Sequence, residues 1–438
     1  MNLSKKFRKN FLQKSFAIYG LGKTGSSTLN FLKKKKISTI YIWDDNKKIR
    51  GQHNLKKKNS LGFFKKQLNL VDFIVISPGI SIEKSIFKKE LLKNKKKIIT
   101  DLDIFFILNP TVKSIIVTGT NGKSTTCKII QHILSTRYKN VYLGGNIGKP
   151  ILDLKFNKNS IVTIEASSFQ LAYSNYIRAK YAILLNISND HLEWHITKSN
   201  YINSKFRIFK NQKKSDFAFL DNKQLVNIYK QKKLKGNLNI IFDKNFKFIK
   251  IKIKNTYFET NINNQNLIFA YHLIKKLNIS DKMFINSINT FRGLDHRYQI
   301  IYKKKFITCI NDSKATSFEA SKYAIKNNKN IFWIVGGKNK LGDSFELKNL
   351  KKNIIKSFII GKKTAFFKNQ LSNHINYKVS YTLQKAVVDI FKDLKKFNSN
   401  DITVLFSPAS ASYDQFKNFM IRGDQFKFFV RKYAKKYL

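Results

Sequence analysis

Thr118-Gly119-Thr120-Asn121-Gly122-Lys123-Ser124-Thr125-Thr126 follows the apolar run Ser114-Ile115-Ile116-Val117 and leads into the helix-like stretch Cys127-Lys128-Ile129-Ile130-Gln131-His132-Ile133-Leu134. A strand, a glycine loop and a helix in that order turn backbone N–H groups toward an anion at the positive end of the helix. Lys123 can then reach the outer phosphates and the Ser124 hydroxyl can ligate Mg²⁺, so the stretch predicts a nucleoside triphosphate site. The strict pattern G-x-x-x-x-G-K-[ST] would require glycine at position 117, where this chain has valine, but Gly119 and Gly122 still free the turn.

Outward from this loop, apolar runs alternate with helical stretches. They are Phe16-Ala17-Ile18-Tyr19, Ile40-Tyr41-Ile42-Trp43, Phe73-Ile74-Val75-Ile76, Ile115-Ile116-Val117, Ile161-Val162-Thr163-Ile164, Tyr181-Ala182-Ile183-Leu184-Leu185, Ile331-Phe332-Trp333-Ile334-Val335 and Thr403-Val404-Leu405-Phe406. Alternation of this kind predicts an α/β fold with largely parallel sheets, whose ligands bind at the C-terminal ends of the strands. A chain of 438 residues exceeds one ordinary core. Three domains are expected, spanning 1–101, 102–293 and 294–438: a Rossmann-like domain, a central P-loop ATPase-like domain and a second Rossmann-like domain. The 4 prolines sit at or near turns between elements, and the 18 glycines concentrate in a few loops.

The formal net charge of +58 would by itself point to nucleic acid or an anionic surface. The lysines, however, are spread along the whole chain rather than gathered in a basic arm or an aromatic-interleaved patch, and they accompany an excess of Asn, Ile, Phe and Tyr. Compositional drift accounts for that pattern, so no specific nucleic-acid partner is expected. Cys127 and Cys309 are the only cysteines, which leaves neither a disulfide framework nor a cysteine metal site to read. No run approaches membrane-spanning length, and a soluble cytoplasmic protein is expected.

Gly20-Leu21-Gly22-Lys23-Thr24-Gly25 follows the first apolar run, and Asp44 ends the second. This is the dinucleotide fingerprint. Its glycines only let a diphosphate approach a helix N-terminus, so a nucleotide sugar satisfies it as well as a nicotinamide cofactor does. Glu165 ends another apolar run, where a carboxylate can hold Mg²⁺ beside the phosphates. His191 follows the run ending at Leu185, within Asn189-Asp190-His191-Leu192-Glu193-Trp194-His195. By composition alone, Lys205 reads as one more surface lysine.

The series of GTNGKST, GGNIG at 144–148, Glu165-Ala166-Ser167-Ser168-Phe169-Gln170-Leu171, Asn189-Asp190-His191, Lys205-Phe206-Arg207-Ile208, His296-Arg297, Asn311-Asp312-Ser313-Lys314-Ala315-Thr316, Gly336-Gly337 and Ser407-Pro408-Ala409-Ser410-Ala411-Ser412-Tyr413-Asp414-Gln415-Phe416 resembles the Mur ligases, and within them the D-glutamate-adding branch. The resemblance covers essentially the whole chain. It implies an ATP-dependent amide-bond ligase of peptidoglycan precursor synthesis, which phosphorylates the carboxylate of UDP-N-acetylmuramoyl-L-alanine and lets the amine of D-glutamate attack the acyl phosphate. It also implies a monomer with no membrane partner.

Carried onto these positions, the resemblance gives Lys123 the transferring phosphoryl group and Ser124 and Glu165 a first Mg²⁺. It places His191 with Glu165 at a second Mg²⁺, supported by Lys205 after carbamylation by CO₂. Gly119, Thr120, Asn121, Gly122, Thr125, Asn263, Asn266, Arg297 and Asp312 join Lys123 and Ser124 around ATP. Lys23, Thr24, Asp44, Ser77, Pro78 and Gly79 face the nucleotide sugar, with Asn146 and Gln170 along its muramoyl-alanine arm. Lys314, Thr316, Lys340, Ser412 and the backbone of Phe419 meet D-glutamate. Two readings compete: another amino-acid specificity such as L-glutamate onto folate, and a basic P-loop nucleic-acid-binding protein. The N-terminal nucleotide-sugar segment argues against the first, and charge is the sole support of the second.

Overall fold

The computed structural model describes residues 5–52, 60–188, 191–242, 244–259, 261–304, 306–339, 343–395 and 401–437. Its strands form three sheets. The first holds β1 (Phe16–Tyr19), β2 (Ile40–Trp43), β3 (Phe73–Ile76) and β4 (Ile98–Ile99), all parallel, in the order β2-β1-β3-β4. The second holds β5 (Lys113–Thr118), β6 (Val141–Gly145), β7 (Ile161–Glu165), β8 (Tyr181–Leu184), β9 (Phe217–Leu220) and β10 (Asn237–Ile240), again parallel, in the order β10-β9-β8-β5-β7-β6. The third holds β11 (Gln299–Lys304), β12 (Ile307–Asn311), β13 (Ile331–Gly336), β14 (Ile354–Ile360), β15 (Tyr377–Tyr381) and β16 (Ile402–Phe406), in the order β11-β12-β16-β13-β14-β15 with an antiparallel β11–β12 pair.

All eight apolar runs become strands, because a parallel strand covered on both faces has no polar side to show. In the first sheet, Phe16, Ile18, Phe73 and Val75 enter one buried cluster while Ala17, Tyr19, Ile74 and Ile76 enter another. The same split separates Phe332, Ile334 and Phe358 from Trp333, Val335 and Ile359 in the third sheet. The strands that the apolar runs do not announce include the sheet edges β6, β10, β11 and β15, which are partly exposed and carry Gly, Asn or Lys.

The chain divides into two compact units, residues 1–291 and 292–438. The first carries two sheets because one apolar cluster runs through both, from Phe16, Ile18 and Val75 to Ile116, Val162 and Ala182. The helix Asp101–Leu108 contributes Leu102, Ile104, Phe105, Phe106 and Ile107 to that cluster, and all of Asp101 to Ile107 is buried. Thr100 and Asp103 close a capping box at its start: the Asp103 N–H donates to Thr100 Oγ1 at 3.4 Å and the Thr100 N–H to Asp103 Oδ2 at 2.9 Å. Asp103 Oδ1 also accepts from the N–H groups of Asn175 (2.8 Å) and Tyr176 (2.6 Å), which ties the helix to the central sheet's connections.

Asp101 Oδ2 accepts from Gln170 Nε2 at 3.4 Å, and its Oδ1 has no hydrogen-bond partner among the described residues. Burial pushes Asp101 up to about 7 and Asp103 up to about 6. Both carboxyls therefore hold their protons more tightly folded than unfolded. The stability they contribute is complete below the ordinary carboxylate value, about pH 4, and is lost as the pH rises through about 6 to 7. Asp101→Asn, which cannot ionise, should show a smaller fall in its urea midpoint than the unmodified protein between about pH 4 and pH 8. Identical pH profiles for the two proteins would refute this assignment.

Candidate active site

The C-terminal ends of the strands carry the chemistry, as parallel pairing dictates. In the central sheet the phosphate loop leaves β5, which lies between β7 and β8 where the strand order reverses. Gly122 caps the helix Lys123–Ser135 with φ +84°, a left-handed conformation that suits glycine. A Cβ there would lie 2.2 Å from Asn266 Oδ1, so the predicted adenine-side asparagine packs directly on the loop. Asn266 is buried, and its Nδ2 has no partner among the described residues. The second predicted asparagine, Asn263, donates from Nδ2 to the Tyr257 carbonyl at 2.9 Å.

Asn186, just past β8, braces the loop from the side. Its carbonyl accepts from the Thr120 N–H at 3.0 Å, its Oδ1 from the Asn121 N–H at 2.9 Å, and its Nδ2 donates to the Asn121 carbonyl at 3.2 Å. The Thr120 hydroxyl accepts from the Ser188 N–H at 3.0 Å and shares a 2.9 Å hydrogen bond with the Tyr201 hydroxyl. Lys123 Nζ donates to the carbonyls of Gly119 (2.8 Å) and Thr120 (2.7 Å), which holds its ammonium over the loop. Thr125 is buried one residue beyond Ser124 in the same helix.

Glu165 ends β7 beside this loop and is 2% exposed. Its Oε1 accepts from Asn146 Nδ2 at 2.7 Å, and its Oε2 is buried with no hydrogen-bond partner among the described residues. A buried carboxylate oxygen without a donor is costly unless a cation faces it, so Glu165 fits a metal-facing role. Among the described residues no group of three or more His, Cys, Asp or Glu gathers as a metal site. A set that joins Glu165 to the Ser124 hydroxyl and to phosphate oxygens is of the kind Mg²⁺ takes, with few carboxylates.

His191 stands in a left-handed conformation, φ +56°, with its ring 4.6 Å from that of Phe169 and its Nδ1 3.8 Å from Glu193 Oε1. A non-glycine residue held there marks local strain of the kind that collects at functional sites. Its neighbour His195 is buried, stacked on Phe169 at 5.6 Å and bonded to Ser168 Oγ at 3.0 Å. Burial, aided by the nearby His191 and Lys205, pushes His195 down to about 4, which suits a neutral packing role.

Lys205 corrects the composition-based expectation of a surface lysine. It is 1% exposed on the helix Lys198–Phe206, donates to the Gly119 carbonyl at 2.7 Å and lies 4.6 Å from the centre of the Tyr201 ring.

In the first sheet, Gly20 (φ +91°) and Ser77 directly follow the neighbouring strands β1 and β3. Gly25 lets the following helix, Lys23–Lys34, approach so closely that a Cβ there would lie 1.8 Å from the Gly20 carbonyl oxygen. Asp44 is committed to the loop itself, accepting from the Leu21 N–H at 2.6 Å and the Asn46 N–H at 2.8 Å. Ser77 Oγ donates to the Gly20 carbonyl at 2.6 Å, and Pro78 and Gly79 lie in a turn closed by the Ile80 N–H on the Ser77 carbonyl at 3.0 Å. Lys23 Nζ reaches the Gly148 carbonyl at 2.7 Å, and Thr24 sits in the first turn of the helix, its carbonyl accepting from Thr28 Oγ1 at 3.0 Å. Gln170 is 2% exposed and committed to a capping box with Ser167 as well as to Asp101.

Within the second unit, Asp312 follows β12; its Oδ2 accepts from Ser407 Oγ at 2.8 Å and its Oδ1 from the Tyr298 N–H at 3.1 Å. Burial pushes this carboxyl up to about 7 against those two bonds and the charge of Arg297. Lys314 Nζ lies 4.3 Å from the centre of the Phe419 ring, and the Phe419 carbonyl accepts from Ser313 Oγ at 2.8 Å. Thr316 is partly exposed just before the helix Phe318–Lys326, and Ser412 is buried in the loop after β16. Lys340 and the Asn189-Asp190 pair lie outside the described residues.

Asn186 and Tyr201 escaped the motif reading although both flank residues it named. Tyr201 lies four positions before Lys205, one helical turn, and that spacing was the available signal. Gly122→Ala should weaken nucleotide binding at least about tenfold, since the added methyl meets both a left-handed φ and Asn266. Titration of a fluorescent ATP analogue checks this, and unaltered affinity would contradict the loop geometry.

Residues 117–284 match the Mur ligase middle domain and residues 14–99 the MurD-like N-terminal domain of Mur ligases. The UDP-N-acetylmuramoylalanine–D-glutamate ligase of Rickettsia bellii is 34% identical over 94% of this chain and 96% of its own length. That of Wolbachia pipientis is 31% identical over 95% and 96%. Among solved structures, the chain is similar in fold to MurC of Thermotoga maritima (TM-score 0.55, 15% identity, 97% of this chain and 100% of that one). It is likewise similar to MurF of the same organism in complex with ADP (TM-score 0.56, 14% identity, 97% and 99%). Aligned with such relatives along nearly all of both sequences, the chain belongs to the UDP-N-acetylmuramoylalanine–D-glutamate ligase family of Mur ligases.

Proposed function

We propose that this chain is an ATP-dependent ligase that adds D-glutamate to UDP-N-acetylmuramoyl-L-alanine during peptidoglycan precursor synthesis, working as a monomer in the cytoplasm with domains at 1–101, 102–293 and 294–438. One observation carries the reading: relatives bearing that name align with about the full length of the chain. The phosphate loop with Lys123 held over it, and the buried Glu165 beside it, support it.

A carboxylate is a poor electrophile, and ATP converts it to an acyl phosphate with a good leaving group. Lys123, held over the phosphate loop, offsets the charge that develops on the transferring phosphoryl group. Bound Mg²⁺ would supply charge neutralisation and alignment of the phosphates, held by Ser124 and Glu165 and, at a second position, by Glu165, His191 and carbamylated Lys205. Carbamylation needs the neutral amine, the form that burial favours, and it would turn a cation into an oxygen ligand. Arg297 and Asp312 serve ATP, and Lys314, Thr316, Lys340, Ser412 and the Phe419 backbone hold the two carboxylates of D-glutamate.

The decisive assay is ADP release with Mg²⁺, ATP and the sugar substrate, comparing D-glutamate, L-glutamate and no amino acid. Release that depends on D-glutamate is expected; equal release in all three would defeat the proposal. Lys123→Ala should lose at least about a hundredfold in kcat with an unchanged thermal midpoint. Lys205→Ala should be similarly impaired and recover part of its rate when acetate or formate, which can stand in for the carbamate oxygens, is added. Absence of recovery would argue against the carbamate.

A further inference from the structure

The helix Phe419–Tyr437 carries in its first turn an arginine, Arg422, that has no part in the proposed chemistry. Arg422 is 1% exposed. A guanidinium carries five N–H donors and is rarely buried unless they are used. Here Nε donates to Ser313 Oγ at 3.1 Å, and Nη2 to the carbonyls of Ser313 (2.8 Å) and Ser410 (3.0 Å). Ser313 Oγ in turn donates to the Phe419 carbonyl. Nη1 is buried without a partner among the described residues, and it faces Gly337, where a Cβ would lie 3.2 Å away.

Ser313, Gly337 and Ser410 follow β12, β13 and β16, so one planar group bonds the loops after β12 and β16 and packs against the loop after β13. The second and third loops are also zipped together by reciprocal backbone bonds between Lys338 and Ala411, at 2.9 and 3.0 Å. The arginine's own height is set by the next residue. A Cβ at Gly423 would lie 2.2 Å from His296 Nδ1, and the Gly423 carbonyl accepts from Asn311 Nδ2 at 2.9 Å. The absence of a side chain there lets the helix start sit deep enough for the guanidinium to reach all three loops.

We propose that Arg422 is a positioning residue of the amino-acid site: by fixing the Ser313 and Ser410 loops to one another, it sets the separation of Lys314 and Ser412 and hence the affinity for an acceptor dicarboxylic amino acid. The Ser313–Phe419 bond extends the same control to the ring over which the Lys314 ammonium lies. This inference rests on the proposed ligase reading and deepens it.

Arg422→Met and Arg422→Lys in the full chain test it by steady-state kinetics with ATP, UDP-N-acetylmuramoyl-L-alanine and D-glutamate. A second readout traps the activated sugar carboxylate with hydroxylamine when no amino acid is present. Arg422→Met should raise KM for D-glutamate about tenfold or more, while KM for ATP and for the sugar substrate and the hydroxamate yield stay within about twofold. Arg422→Lys should fall between, since an ammonium keeps the charge but loses the planar fork.

An unchanged KM for D-glutamate, or a parallel rise in all three KM values, would overturn the proposal. If Arg422→Met does not fold, Arg422→Lys and Ser313→Ala, which removes the Nε acceptor, must each raise the same KM; if neither does, the proposal fails. A lack of hydroxamate from the unmodified protein would instead defeat the ligase reading, so the two failures are distinguishable.

Discussion

Parallel strand pairing is the constraint on which this molecule depends. A strand that must run in the same direction as its neighbour returns through a crossover, and every such crossover leaves the strands' C-terminal ends at one edge. Apart from the antiparallel β11–β12 pair, the described sheets obey it throughout. The Gly20 and Ser77 loops of the first sheet, the phosphate loop, Glu165 and Asn186 of the second, and Asp312, Gly336 and Ser407 of the third therefore all emerge at strand ends without any local signal arranging it.

Chemistry at such an edge needs loops that do not move, and the structure fixes them with polar groups, several of them buried. Asn186 braces the phosphate loop through both its backbone and its side chain, Tyr201 holds Thr120, and Lys205 reaches the Gly119 carbonyl. Asp44 holds the first glycine loop through the Leu21 N–H, and Arg422 does the corresponding work among the loops of the second unit. The buried ones, Tyr201, Lys205, Asp44 and Arg422, raise the stakes of a single substitution, because loss of each leaves a donor or acceptor unpaired where water cannot replace it.

The apolar runs were legible because strands covered on both faces read as unbroken hydrophobic segments, as Ile331 to Val335 does. The edge strand β10, Asn237–Ile240, was not: it alternates asparagine with aliphatic residues on a partly exposed edge. The phosphate loop and the strand-end position of Glu165 were legible because glycine spacing and apolar runs carry their own local signal. Asn186 and Tyr201 were not, since an asparagine in a loop and a tyrosine in a short helix announce nothing until the fold sets them against Thr120 and Asn121.

Sequence by itself determined the α/β class, the phosphate loop, the family and the order of the site-bearing segments, because these depend on local periodicity and on residue types at fixed spacings. Tertiary structure alone decided the burial of Lys205 and Arg422 among the chain's 84 basic residues and the commitment of Gln170 and Asp44 to internal hydrogen bonds. Burial and partner choice arise from contacts between segments far apart in the chain. No window of sequence contains both partners.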